Sequence, residues 1–203
     1  MREELNILIQ AQYPLIYLVT SEEQRAEQAI AKRAQQYSKS RRVFSWTVTH
    51  GMVEYGQPGN STQHNTVHAE PAISWVMREK EPGIFIFKDL HPFIGDANVT
   101  RSLRDAIISL RGTEKTIILL SPLQQIPIEL EKDVVVLDFP FPDLSELDQV
   151  LSRQLEQSRG NRISTDAREK LLKATLGLTK DEAEKVYRKA YVKAGRLTED
   201  EVN

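Results

Sequence analysis

Lys88, Asp89 and His91 are the first place in this chain to look for chemistry. They follow directly on Ile84-Phe85-Ile86-Phe87, an unbroken apolar run that opens at Pro82-Gly83. A run bounded in this way reads as a strand buried on both faces, at the centre of a parallel sheet. In open α/β sheets, ligands gather just past the carboxyl ends of such strands. An ammonium, a carboxylate and an imidazole placed there make a hydrolytic cluster one option, with Asp89 acting together with Lys88 or His91. The ordinary role of a charged strand end is a solvated lip or an ion pair. His64 and His68 form a second candidate, spaced i, i+4 like metal-binding pairs on helices, with Glu70 nearby. The surrounding GQPGNSTQ and AEP favour a loop, which does not hold that spacing in register.

The elements that must position these residues alternate along the chain. Arg2–Gln10 reads as a short helix and Pro14–Val19 as the first strand. Thr20-x-x-Glu23 and Ser21-x-x-Gln24 are capping-box patterns that predict a helix running to about Tyr37. Arg42–Thr49 is a second strand, rich in β-branched and aromatic residues. Gly51–Glu70 is poor in apolar residues and rich in Gly, Pro and Asn, and is expected to be a long mobile loop. A helix over Pro71–Arg78, the GIFIF strand, a helix over Thr100–Leu110, and strands at Thr116–Leu120 and Val134–Leu137 follow. This alternation predicts a five-stranded parallel, Rossmann-like sheet with right-handed crossovers.

After Pro142 the strand signals cease. Helix starts at Asp143-x-x-Glu146 and Thr179-x-x-Glu182 bracket a third helix over Thr165–Leu176, which ends before Gly177. The predicted division is therefore an α/β domain over 1–142 and an all-helical lid subdomain over 143–203. Thr198-x-x-Glu201 is one more start signal with no helix behind it, which leads us to expect a linker toward a further domain.

The chain has 203 residues, 28% of them charged and 40% hydrophobic, and a net charge of −2. That balance fits a globular protein and provides no electrostatic basis for binding nucleic acid or an anionic membrane. Cysteine is absent, so thiolate catalysis, disulfides and cysteine–zinc sites are excluded. Glu3 and Glu4 stand where a signal peptide wants positive charge, and no apolar run approaches the roughly 20 residues of a membrane span.

A nucleotide site on such a sheet has separable parts. The first is a glycine-rich loop after the first strand, with a lysine for the outer phosphates and Ser/Thr for the metal. The chain reads Thr20-Ser21-Glu22-Glu23 there, with no glycine, no lysine and two carboxylates. The only G-x₄-G, Gly51 to Gly56, is followed by Gln57-Pro58 after the second strand and is a decoy. The second part is a pair of acids after the GIFIF strand. Lys88 takes the metal-side position, where a cation opposes metal binding, and Asp89 takes the water-activating one. The third is a polar sensor after the fourth strand, where Ser121-Pro122 stands. The fourth is an arginine before the fifth strand, where the chain reads Leu130-Glu131-Lys132-Asp133.

From Pro14 to Ala194 the chain resembles a degenerate AAA module. The strings AQYPLIYLVTSEEQRAEQAI, GIFIFKDLHPFIGD, KTIILLSPLQQIPIELEKDVVVLDFPFPDLSEL and LLKATLGLTKDEAEKVYRKA together resemble one family. It is the AAA ATPase family of cyanobacteria and algal plastids, known as a conserved plastid reading frame. The resemblance implies that this stretch is an N-terminal region and that a second AAA domain, binding ATP and magnesium, follows it. It also implies a homo-oligomer, a cytoplasmic or plastid-stromal location, and a link to photosynthetic inorganic-carbon use. On this basis the chain itself is expected to hold no cofactor and to serve assembly or regulation. Its vestigial site would lie at Lys88, Asp89 and His91, its vestigial phosphate region at Thr20 to Glu23, and its sensor position at Ser121 and Pro122. Two alternatives stay open: a residual ATP-binding or hydrolysing domain using Asp89, and a binding module using the 51–70 loop.

Overall fold

The computed structural model describes residues 2–37, 41–57, 65–157 and 163–194. The chain divides into two compact units, 1–139 and 140–203.

The first unit is a three-layer α/β sandwich. Its elements are α1 (Arg2–Gln10), β1 (Leu15–Val19), α2 (Glu23–Ala34), β2 (Arg42–Thr47), β3 (Gly51–Glu54), α3 (Ala69–Arg78), β4 (Gly83–Lys88), α4 (Ala97–Leu110), β5 (Lys115–Ser121) and β6 (Val135–Asp138). The sheet order is β3-β2-β4-β5-β1-β6. All neighbours are parallel except β2 and β3, which are antiparallel. Strand alternation sends consecutive side chains to opposite faces. Trp46, Phe87, Leu119 and Tyr17 lie in one row across the sheet. They pack with Ile73 and Val76 of α3 and Leu103 and Ile107 of α4. Ile84, Ile86, Ile118, Leu120 and Leu18 face the other way, against Leu5 and Ile9 of α1 and Ala26 and Ile30 of α2. The GIFIF run is apolar throughout because both its faces are covered.

The sheet has six strands rather than the five predicted. β3 lies inside the stretch expected to be a loop. Gly51, with φ of 67°, closes the turn back onto β2. Met52 then buries its side chain, and Thr66 covers the edge: its hydroxyl accepts from Met52 N–H at 2.9 Å and its carbonyl from Trp46 Nε1 at 2.6 Å. Pairing with β2 and this distant threonine stabilise a strand whose own composition is poor. α3 starts at Ala69, two residues before Pro71, because proline's missing N–H would have had no partner in a first turn anyway. The capping boxes at Thr20 and Ser21 do not form. Thr20, just past the end of β1, donates its N–H to Ser121 O at 2.8 Å, and its hydroxyl accepts from Glu22 N–H at 2.9 Å. The cap residue of α2 is Glu22, with no side-chain cap bond.

The second unit contains α5 (Leu144–Gln157), α6 (Thr165–Ala174) and α7 (Lys180–Ala194). Here the predicted start signals do form. Glu146 N–H donates to Asp143 at 2.9 Å, and Thr179 and Glu182 bond reciprocally at 2.8 and 3.2 Å. Leu147, Leu151, Leu171, Ala183, Tyr187 and Ala190 build its core. Gly177, with φ of 86°, turns the chain between α6 and α7. The start signal at Thr198 lies outside the described residues.

Candidate functional site

Three strand ends meet on one edge of the first unit. Thr20 N–H donates to Ser121 O, and Asp89 N–H donates to Leu120 O at 2.9 Å, so the residues following β1 and β4 are both tied to β5. Asp89 takes φ of 50°, a left-handed conformation that aspartate tolerates better than most residues. That twist turns its side chain outward, 58% exposed, while Leu90 returns to the core.

Lys88 does not stand free on this edge. It lies on the α2 side of the sheet, in register with Leu120. Its ammonium reaches Glu27 Oε2 at 2.9 Å and Glu23 Oε1 at 3.0 Å, one helical turn apart on α2. Ser45 of β2 donates to the other oxygen of Glu27. The Lys88 side chain is 12% exposed. Burial alone would depress its pKa, but the Glu27 and Glu23 carboxylates outweigh that, and the net direction is upward. The result is a clasp joining α2, β2 and β4.

Asp89, His91 and Ser121 are also brought together. Ser121 Oγ lies 2.6 Å from His91 Nδ1, and Asp89 Oδ1 lies 3.8 Å from the same nitrogen. A Ser–His–Asp relay requires serine on one ring nitrogen and the carboxylate on the other. Here both meet Nδ1, and Ser121 is 2% exposed. The serine therefore acts as a buried support for the imidazole. Pro122 follows, exposed, and Tyr17 secures the next turn by donating to Leu123 O at 2.8 Å.

The connection from β1 to α2 has three residues, Thr20, Ser21 and Glu22. A P-loop spans eight and presents several bare amides to the phosphates. Glu22 turns back to Arg25, whose Nε donates at 2.9 Å and whose guanidinium lies 4.5 Å over the Phe139 ring. Glu23 points to Lys88. A phosphate at this turn would meet carboxylates where a P-loop offers N–H groups. Of the two histidines proposed for a metal, His68 is the exposed residue preceding α3, and His64 lies outside the described residues. Among the described residues no three His, Cys, Asp or Glu side chains are grouped to hold a metal ion.

Residues 1–139 match the N-terminal domain of SpoVK-like AAA ATPases, and 145–203 match the second domain of the same proteins. The chain belongs to the SpoVK-like AAA ATPase family. Among curated relatives, it is 31% identical over 187 residues to the uncharacterized AAA domain-containing protein ycf46 of Guillardia theta, covering 92% of this chain and 36% of that protein. The ycf46 protein of Trieres chinensis is 30% identical over 201 residues, covering 99% of this chain and 40% of the relative. The chain thus spans well under half of these relatives' length. Among solved structures, domain III of the replication initiation protein DnaA from Thermotoga maritima superposes with a TM-score of 0.57 at 15% identity, covering 99% of this chain and 86% of that one. A RuvB variant from the same organism gives 0.58 at 14%, covering 99% and 65%. At such identities the likeness is one of fold.

Within this SpoVK-like chain, sequence reading singled out Lys88 but missed what holds it. Glu27 and Ser45 lie 61 and 43 positions away in the chain and carry no motif. The one available signal was Glu23 and Glu27 at i, i+4, a like-charge pair that is unfavourable on an isolated helix unless a cation answers it.

Proposed function

We propose that this chain is a non-catalytic assembly or regulatory region at the N-terminal side of a larger AAA ATPase. The observation that carries this is the clasp of Lys88 between Glu23 and Glu27. At the strand end where a magnesium site needs carboxylates, this chain presents a cation already paired. The carboxylates that pair it come from the first turns of α2, where a phosphate site needs uncompensated amides. The three-residue β1–α2 connection supports the same conclusion.

The three-layer body and the helical unit are retained, and they supply surfaces for packing against other domains or copies. ATP and magnesium would then be handled by the part of the polypeptide that relatives carry beyond this chain. Its partners are that part and further copies of itself, with no role for nucleic acid or membrane; the net charge of −2 supports this. No helix among the described residues is long and apolar enough to cross a membrane. We place the protein in the cytoplasm or plastid stroma, and its process in photosynthetic inorganic-carbon use, on the strength of its kinship with the algal ycf46 proteins.

Isothermal calorimetry of the chain with ATP and Mg²⁺ tests the central claim. No saturable heat is expected. A dissociation constant in the low micromolar range overturns it.

A further inference from the structure

We propose that the first unit binds a small uncharged polyol, of monosaccharide size, in a pocket on the α2 side of the β2–β3 hairpin. The pocket uses the Lys88 clasp as one wall and is independent of the assembly role.

β3 adds a strand outside β2, pairing Val53 with Ser45 and Gly51 with Thr47. Side chains two apart on a strand share a face, so Ser45 and Thr47 point the same way. Glu27 of α2 meets Ser45 on that face. Between Glu27 and the hairpin the space stays open, as a cavity of about 240 Å³ lined by Ser45, Thr47, His50, Val53 and Tyr55, with Lys88 at its edge. Sites for drug-sized ligands run to about 300–1,000 Å³, so this one suits a smaller molecule.

The polar groups of the pocket have bonding capacity left. Glu27 accepts from Ser45 at one oxygen and from Lys88 at the other, which leaves each oxygen a further lone pair. Lys88 commits two of its three N–H groups, to Glu23 and Glu27. Thr49 Oγ1 at 2.8 Å and Thr47 Oγ1 at 3.2 Å both meet His50 Nδ1, so the ring turns Nε2 to other partners. The Tyr55 hydroxyl has no bond among the described residues, and Tyr55 is 41% exposed. Donors and acceptors thus stand side by side, with Val53 and one aromatic ring as the apolar wall.

Charge narrows the class of ligand. Glu23, Glu27 and Glu54 are answered by only two cations, Lys88 and Arg42, so the surroundings are net negative. That balance opposes a phosphate or carboxylate. A ligand ammonium on Glu27 would sit beside the ammonium of Lys88, which opposes it in turn. An uncharged molecule with neighbouring hydroxyls meets neither objection. Its hydroxyls donate to Glu27 and accept from Lys88 or His50, and its C–H face lies on the apolar body of Tyr55.

Nitrogen–proton correlation NMR of the chain, titrated with D-glucose, D-galactose and D-mannose, tests the proposal. Each sugar is run beside its 6-phosphate, and 1,4-diaminobutane serves as the cationic control. At least one sugar should saturate with a dissociation constant of about 1 mM or below. It should move the amides of Thr47, His50, Val53 and Tyr55, and leave those of Leu103 and Ile107 on α4 in place. Its 6-phosphate should bind at least about fivefold more weakly. Tyr55→Ala should weaken binding about tenfold and His50→Ala about threefold. Both side chains are exposed, and the spectrum itself shows whether each variant is folded. No saturable shift with any of the three sugars overturns the proposal. So does diaminobutane binding at the same amides more tightly than every sugar, or binding that both variants leave unchanged. Equal affinity for a sugar and its 6-phosphate overturns the restriction to uncharged ligands.

Discussion

Replacing Lys88 with methionine isolates the clasp. The substitution keeps most of the length of the side chain and removes its charge. Two charge-assisted contacts, at 2.9 and 3.0 Å, are lost. The larger effect is what remains: Glu27, its side chain 15% exposed, is left with Ser45 but without a cation. A hydrogen bond to a charged group contributes about 1.5–3 kcal/mol, and stranding a fully buried charge costs about 3–5 kcal/mol. Glu27 is not fully buried, and Glu23 is exposed enough for its share to be screened. We therefore expect Lys88→Met to lower the stability of the α/β unit by about 2–3 kcal/mol. For a domain of this size that is a fall in Tm of about 5–10 °C. Adding Glu27→Gln should recover half or more of the loss, because the stranded charge is then gone. The pH dependence has a definite sign. The native pKa of Lys88 is raised above its ordinary 10.5, so its contribution is complete below that value and is lost as pH rises through the native pKa. On the alkaline side, the difference between wild type and Lys88→Met should accordingly shrink only as pH rises above that ordinary value. Urea unfolding followed by tryptophan fluorescence measures all of this, since Trp46 and Trp75 both lie in the α/β unit. A single variant within about 0.5 kcal/mol of wild type, or a double variant no better than the single, refutes the clasp.

Lys115 donates to Val76 O and Met77 O at 3.2 Å and to Glu79 O at 2.8 Å, closing the end of α3, so Lys115→Met should cost about 2–3 kcal/mol by leaving those carbonyls without a donor. Burial lowers its pKa below the ordinary 10.5; the unfolded chain then holds more protons over the interval between the two values, and this group's contribution should grow as pH rises through it, measurable as the wild-type minus variant difference. Thr66→Val should strand the buried N–H of Met52, lowering stability by about 1–2 kcal/mol and speeding hydrogen exchange at Met52 more than at Phe85.

The centre of the sheet was legible because its cause is local. Ile84 to Phe87 are apolar without interruption, and a run this short, opened by Pro82-Gly83 and closed by Lys88, fits a strand covered on both faces. The helix starts at Asp143 and Thr179 were legible for the same reason, since a capping box closes within four residues. The box at Thr20 has an identical pattern and fails, because β5 takes the Thr20 N–H for the sheet first. β3 was not legible, because Met52 needs Thr66, fourteen positions on, to satisfy its edge.

The charged end of the GIFIF strand shows the boundary most clearly. By itself the sequence determined that Lys88 and Asp89 would emerge together at the carboxyl edge of a central strand, since residue order and strand period require it. Only the tertiary structure decided what each would do. The side-chain alternation of β4 sends Lys88 to the α2 side, where Glu23 and Glu27 are waiting at one-turn spacing. The left-handed turn at Asp89 sends the carboxylate out toward His91. Which partners a charge meets depends on how the crossover brings α2 over β4, and no stretch of neighbouring residues encodes that.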